Sequence, residues 1–235
     1  MLKPQSLNFE VDTADLSINH IASLYNIFFH SKDYDWWYEV LPGDVVVDIG
    51  AGIGMFSAKA LDAGAQKVYM IEPSKTLLRA AVKNVCDHII GNNELPKVVP
   101  INVAVGRTDV DLSNVYGKDL WEEEKLMSLL EFCVDYDVSQ IDFLKISAAG
   151  AEYNILHKDM FDFLGTKVRH IAVRCHLDAQ YGGAEKFKDW RDNVLNPMIE
   201  LGRVYVQDNS FIEKIQSDQF DELLPRSFMV YIKNW

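Results

Sequence analysis

The stretch VVVDIGAGIGMFS, Val45 to Ser57, decides the fold. A β-branched run, Val45-Val46-Val47, passes through Asp48-Ile49 into three alternating glycines, Gly50, Gly52 and Gly54. A helical stretch, Met55 to Ala63, follows at once. Strand, glycine turn and helix in this order open a βαβ unit. The turn must leave the strand tightly, and glycine lets a ligand approach the backbone with no Cβ in the way. The next apolar run, Lys67 to Ile71, ends at Glu72, 22 residues beyond Gly50. A carboxylate at that place can accept both vicinal hydroxyls of a ribose. Pro73 ends the strand, and Ser74 is placed to cap the next helix.

Outward from this unit the same rhythm continues. Apolar runs at Val98–Val103, Ile141–Ile146 and Val168–Val173 alternate with helical stretches at Lys75–Asp87, Ala151–Phe163 and Ala184–Leu201. Nearly continuous apolar strands between helices predict a parallel sheet covered on both faces. The last two runs, Arg203–Gln207 and Phe228–Ile232, have no convincing crossover helix between them, and Pro225 interrupts the intervening segment. They predict a hairpin-like antiparallel return. The expected fold is therefore α/β: a Rossmann-like, doubly wound sheet of about seven mostly parallel strands with an antiparallel C-terminal hairpin. Residues 1–43 carry Leu16, Ile21, Leu24, Ile27 and Phe28 at helical spacing and read as an N-terminal helical cap. Residues 44–235 read as one compact unit. The cluster Tyr34, Trp36, Trp37 and Tyr38 is expected to pack the cap onto the sheet.

The chain has 235 residues with 23 basic and 35 acidic side chains, a net charge of −12. An acidic chain lacks the field that draws proteins to phosphate backbones or anionic lipid, so nucleic acid and membrane are not expected partners. Cys86, Cys133 and Cys175 have no CxxC spacing, and three reduced, mostly buried thiols are expected. The N-terminus shows no apolar targeting segment, and no run of ~18 apolar residues occurs. A cytoplasmic protein is expected.

Glycine turn plus spaced acid points to an adenosine-containing ligand. The dinucleotide fingerprint GxGxxG would place glycine or alanine at position 55, where this chain has Met55, and its glycines read GxGxG. Asp48, two residues before the first glycine, could face the cationic end of S-adenosylmethionine (SAM). SAM has no pyrophosphate and so no need of the open helix N-terminus. A nicotinamide cofactor remains the alternative.

At these residues the chain resembles the class I SAM-dependent methyltransferases, and within them the FkbM family. The segments that carry the resemblance are 45–57, KVYMIEPS (67–74), Ala104-Val105-Gly106 and IDFLKISAAGAEYNIL (141–156). It implies that Asp48, Gly50, Ala51, Gly52 and Gly54 line the methionine end of SAM. Glu72 and Pro73 would lie at the ribose, and Ala104 and Val105 beside the adenine. The family usually reads LKID-x-EGAE where this chain has Ser147 for the aspartate and Ala149 for the first glutamate. Gly150, Ala151 and Glu152 are kept. Ser147 is carried over as a cofactor contact and a candidate catalytic residue, with two family carboxylates missing around it.

The resemblance implies O-methylation of a hydroxyl on a small molecule or glycan. Such a reaction needs in-line positioning and removal of one proton. His176, just past the fifth strand at the carboxyl edge, is the candidate general base, because imidazole titrates near neutral pH. Arg174 is a candidate contact for an anionic substrate. No metal site is expected. There is no NPPY-like tetrad, since Asn196-Pro197-Met198 lies in a helical region. Two rivals stand beside the O-methyltransferase: a SAM-binding protein with impaired catalysis and a nicotinamide-dependent oxidoreductase.

Overall fold

The computed structural model describes residues 16–31, 33–89, 98–108, 125–178 and 183–234. The acidic stretch 119–124 lies outside them. The chain divides into two compact units, Met1–Ala104 and Val105–Trp235.

In the first unit, α1 (Ile18–Tyr25) is capped by Ser17, whose Oγ accepts the His20 N–H at 3.3 Å, and runs into a π-helical turn at Asn26–His30. Then follow β1 (Val45–Ile49), α2 (Met55–Asp62), β2 (Lys67–Ile71), α3 (Lys75–Ile89) and β3 (Val98–Ile101). β1 and β2 pair in parallel from Val45↔Lys67 to Ile49↔Ile71, and β2 and β3 from Val68↔Val98 to Ile71↔Ile101. β1 and β2 are buried at every position but the first, as strands covered on both faces must be. Ala58 of α2 meets Leu78, Ala81 and Val85 of α3 over Met70. The N-terminal segment packs on α2 through aromatic rings: Phe28 lies 5.3 Å from Tyr34 and 6.2 Å from Phe56 between centroids. Tyr34 joins that packing as expected. Trp36 and Trp37 are exposed, with their rings 6.2 Å apart.

In the second unit, the short strand β4 (Ala104–Val105), which starts at the boundary, pairs with β5 (Leu126–Met127) in a separate two-stranded sheet. Next come α4 (Leu129–Asp135), β6 (Ile141–Ile146), α5 (Glu152–Ile155), α6 (Phe161–Lys167) and β7 (Val168–His176). They are followed by α7 (Gly183–Trp190), α8 (Asn196–Glu200), β8 (Val204–Tyr205), α9 (Ser210–Gln216), α10 (Phe220–Leu223) and β9 (Ser227–Lys233). β6 and β7 are parallel, whereas β9 runs antiparallel to both β7 and β8. Seven strands make one mixed sheet in the order β3-β2-β1-β6-β7-β9-β8. The seven-stranded α/β fold with an antiparallel C-terminal return is the one the pattern predicts.

Two helices differ from expectation. The stretch 151–163 is broken: α5 stops after one turn, Leu156 leaves the helical region at φ −100 and ψ 88, and a 3₁₀ turn at Lys158–Met160 leads into α6. Leu156 and Met160 are both buried by this route. The stretch 184–201 becomes α7, a π turn at Arg191–Leu195, and α8. Pro197 stands in the first turn of α8, where its missing N–H cannot extend an α-helical ladder, so the wide turn precedes it.

Cys133 and Cys175 are buried and Cys86 is partly exposed, all three as free thiols. Desolvation pushes the Cys133 thiol up to about 11 and holds the Cys175 thiol well above its ordinary value. Only the thiolate reacts, and at pH 8 a pKa of about 11 leaves about one Cys133 in a thousand ionised. A thiol reagent at pH 8 should therefore modify Cys86 promptly and the other two only on denaturation. Three equally fast thiols in the native protein would contradict this burial.

Candidate functional site

The first unit gathers the glycine turn and Glu72. At the carboxyl end of β1, Gly50 and Ala51 both donate their N–H to the Ile71 carbonyl at 3.0 Å, which ties the turn to the end of β2. Gly52 has φ +57, and a Cβ added there would meet nothing within 4 Å, so the space above it is open. Gly54 caps α2 at φ +82 and is needed for a different reason: a Cβ there would lie 3.1 Å from the Ala81 backbone on α3. Glu72 is buried, and its two oxygens accept the Gly52 N–H at 2.9 Å and the Ser74 N–H at 3.0 Å. Each carboxylate oxygen can accept more than one hydrogen bond. A carboxylate oriented from two sides by backbone is therefore well suited to a vicinal diol. Ser74 also caps α3, its Oγ accepting the Leu77 N–H at 3.3 Å.

Asp48 is fully buried at the end of β1 and accepts the Ser57 hydroxyl at 2.7 Å, which joins the strand to α2 beneath the turn. Two asparagines complete the support. The Asn84 amide donates to the Ile53 carbonyl at 2.9 Å, and Asn102 donates to the Glu72 and Pro73 carbonyls at 3.0 and 2.5 Å. Sequence reading missed both, because a lone asparagine in a helix or after a strand carries no pattern. Asn102 was detectable only as a polar residue within an apolar run.

The second unit contains the altered loop. Ser147 directly follows β6 and is half-buried. Ala149 takes φ +46, a left-handed conformation uncommon for a residue with a Cβ, and Gly150 takes φ +96. The chain thereby doubles back so that Glu152, fully buried, accepts the Gly150 N–H at 2.7 Å. The other Glu152 oxygen meets His176, the last residue of β7: it accepts the backbone N–H at 2.9 Å and lies 2.9 Å from Nδ1. Tyr153 donates its hydroxyl to the His176 carbonyl at 2.8 Å. Burial, aided by Cys175 and Glu152, pushes the Tyr153 phenol far above its ordinary value, so it stays protonated and keeps its donor.

Of the residues singled out in the sequence, the structure brings Gly50, Ala51, Gly52, Gly54, Asp48, Glu72 and Pro73 together in the first unit. Ala104 and Val105 lie on β4 with buried side chains. Ser147 and His176 stand at the ends of β6 and β7, which run parallel. Glu152, noted in the sequence only as a retained motif residue, is the partner of His176. Arg174 lies two residues earlier on β7, in register with Met229.

A strand, glycine turn and helix with a backbone-anchored carboxylate at the end of β2, in a sheet of this order with an antiparallel final strand, define the Rossmann-like methyltransferase fold. The methyltransferase FkbM domain model matches residues 48–205, more than half of the chain. The chain belongs to this methyltransferase FkbM domain family. No curated protein matches it at a significant level. Among solved structures it is similar to the methyltransferase FkbM from Methylobacillus flagellatus KT, at 16% identity and TM-score 0.56, over 88% of this chain and 47% of that one. The chain thus spans about half the length of that protein. It is also similar to the METTL16 methyltransferase domain, at 13% identity and TM-score 0.46 over 97% and 74% of the two chains. A third is precorrin-6y C5,15-methyltransferase from Geobacter metallireducens GS-15, at 13% identity and TM-score 0.40 over 77% and 76%. Among the described residues no helix is long and apolar enough to cross a membrane.

Proposed function

We propose that this chain transfers the methyl group of SAM to a hydroxyl of a small molecule or glycan. The observation that carries the reading is Glu72, held by the Gly52 and Ser74 N–H groups beside an open glycine backbone. These residues fit the ribose of an adenosine cofactor. In the proposed contact set, Asp48, Gly50, Ala51, Gly52 and Gly54 serve the methionine end. Glu72 and Pro73 serve the ribose, Ala104 and Val105 the adenine side, and Ser147 is a further contact. Residues 1–43 act as a cap on this domain. Family membership sets the nicotinamide alternative aside.

SAM supplies an electrophilic methyl on a sulfonium, so the protein's tasks are alignment and proton removal. His176 takes the acceptor's proton. Glu152 is its positioning residue: a carboxylate at Nδ1 fixes the tautomer that leaves Nε2 as the acceptor. Glu152 is the one carboxylate of the family pattern that this loop keeps, turned inward onto His176.

Calorimetric titration should give binding of S-adenosylhomocysteine and none of NAD; the reverse result would sink the reading. With labelled SAM and a panel of hydroxyl acceptors, the unaltered protein should transfer methyl. Transfer that appears only after Ser147→Asp with Ala149→Glu would mark this chain as an impaired SAM-binding protein instead.

A further inference from the structure

β6 ends at Ile146, in register with Val173, while β7 runs on to His176. On its other side β9 still accompanies it, with Ser227 opposite His176. Where β6 has stopped, two consecutive residues of α5 take the place of a ladder partner. Glu152 accepts the His176 N–H at 2.9 Å, and Tyr153 donates its hydroxyl to the His176 carbonyl at 2.8 Å. The Glu152 oxygen that holds this N–H also lies 2.9 Å from His176 Nδ1. The carbonyl held by Tyr153 shares a peptide plane with the Leu177 N–H, which donates to the Arg226 carbonyl at 2.8 Å. That plane is pinned from both sides. Tyr153 is itself well fixed: it is buried, and its ring centroid lies 5.6 Å from that of Trp190 and 6.0 Å from that of Phe187, both on α7.

We infer that Tyr153 is a positioning residue for His176, holding the imidazole at the carboxyl end of β7 for proton removal. The inference rests on the reading of His176 as the base. Glu152 sets the amide side of His176 and the orientation of its ring, and Tyr153 sets the carbonyl side, so the two together fix the residue on both sides of its Cα. A general base works only within hydrogen-bond reach of the proton it takes. A misplacement of about 1 Å can cost roughly a hundredfold in rate. A strand end with one edge unpaired opens readily, so the strand alone does not supply this precision. If the hydroxyl only satisfied a buried carbonyl, its loss would lower stability and leave the imidazole as it was.

The test compares Tyr153→Phe with Asn234→Ala in the full chain. Phenylalanine keeps the ring and its packing on Phe187 and Trp190 and removes only the hydroxyl. Asn234 donates to the Leu164 and Val168 carbonyls at 2.9 and 2.6 Å, at the opposite end of β7, so its loss costs buried hydrogen bonds without touching His176. NMR with isotope-labelled histidine reads exchange of the His176 Nδ1 proton with water. Exchange should be about fivefold faster in Tyr153→Phe, as local opening at the strand end requires, and unchanged in Asn234→Ala. The kcat for methyl transfer should fall about tenfold in Tyr153→Phe, with KM and S-adenosylhomocysteine affinity within about twofold. Exchange at the unaltered rate in Tyr153→Phe would overturn the inference, and so would an equal fall of kcat in Asn234→Ala. Faster exchange with an unaltered kcat would overturn it too, because the imidazole that Tyr153 holds would then take no proton. If the unaltered protein transfers methyl to no acceptor, the proposed function fails instead, and the exchange comparison still decides whether Tyr153 holds His176.

Discussion

Glu72→Gln should weaken S-adenosylhomocysteine binding by about a hundredfold, close to 2.7 kcal/mol. Both carboxylate oxygens accept backbone N–H groups, from Gly52 and from Ser74. A glutamine has one oxygen and one NH₂, so in either orientation one backbone N–H faces another donor. The substitution therefore loosens the turn and also removes the charge that strengthens hydrogen bonds from ribose hydroxyls, worth about 1.5–3 kcal/mol at a charged acceptor. Calorimetry on the purified variant reads the affinity, and thermal unfolding without ligand separates binding from folding. An affinity within threefold of the unaltered protein would remove Glu72 from the proposed cofactor site.

Glu152→Ala should cost about 3–5 kcal/mol of folding stability, because each buried donor left without its acceptor costs about 1–3 kcal/mol. Three donors converge on this carboxylate, the Gly150 N–H, the His176 N–H and His176 Nδ1, and alanine abandons all of them in a buried site. Glu152→Gln keeps an acceptor for His176 but turns a donor toward the Gly150 N–H. It should cost less, about 1–2 kcal/mol. Urea unfolding with an unchanged slope is the measurement, since only the midpoint should move. A loss under about 1 kcal/mol for the alanine variant would show that the convergence contributes little. If Glu152→Ala fails to fold, Glu152→Gln carries the activity question: it should lower kcat for methyl transfer while leaving S-adenosylhomocysteine affinity unchanged. A merely structural Glu152 would leave kcat alone.

The architecture was largely legible in the sequence because strand, glycine and helix signals are local. Val45–Ile49 and Lys67–Ile71 are continuous apolar runs, and they became the paired strands β1 and β2. Where local pattern was weak, reading failed. Two-residue strands such as β4 and β5 are too short for alternation to register. The break at Leu156 obeys no breaker residue; there the burial of Leu156 and Met160 prevails over helical continuity. The π turn before Pro197 was in principle readable, because proline's missing N–H has a local consequence.

The site shows the same division at finer scale. The sequence alone determined which residue types stand at the strand ends: glycines at 50, 52 and 54, an acid at 72, and a serine and an alanine where carboxylates usually stand at 147 and 149. Tertiary structure decided what those residues do for one another. Gly54 and Gly52 look equivalent in the chain, yet one spares a clash with Ala81 and the other leaves open space. Glu152 and His176 are 24 residues apart, and only the parallel pairing of β6 with β7 brings the carboxylate to the imidazole. The physical reason is range. Backbone preference and hydrophobic period act over a few residues and leave their trace in sequence order, whereas hydrogen-bond partnership and burial depend on distances that exist only once the chain has closed on itself.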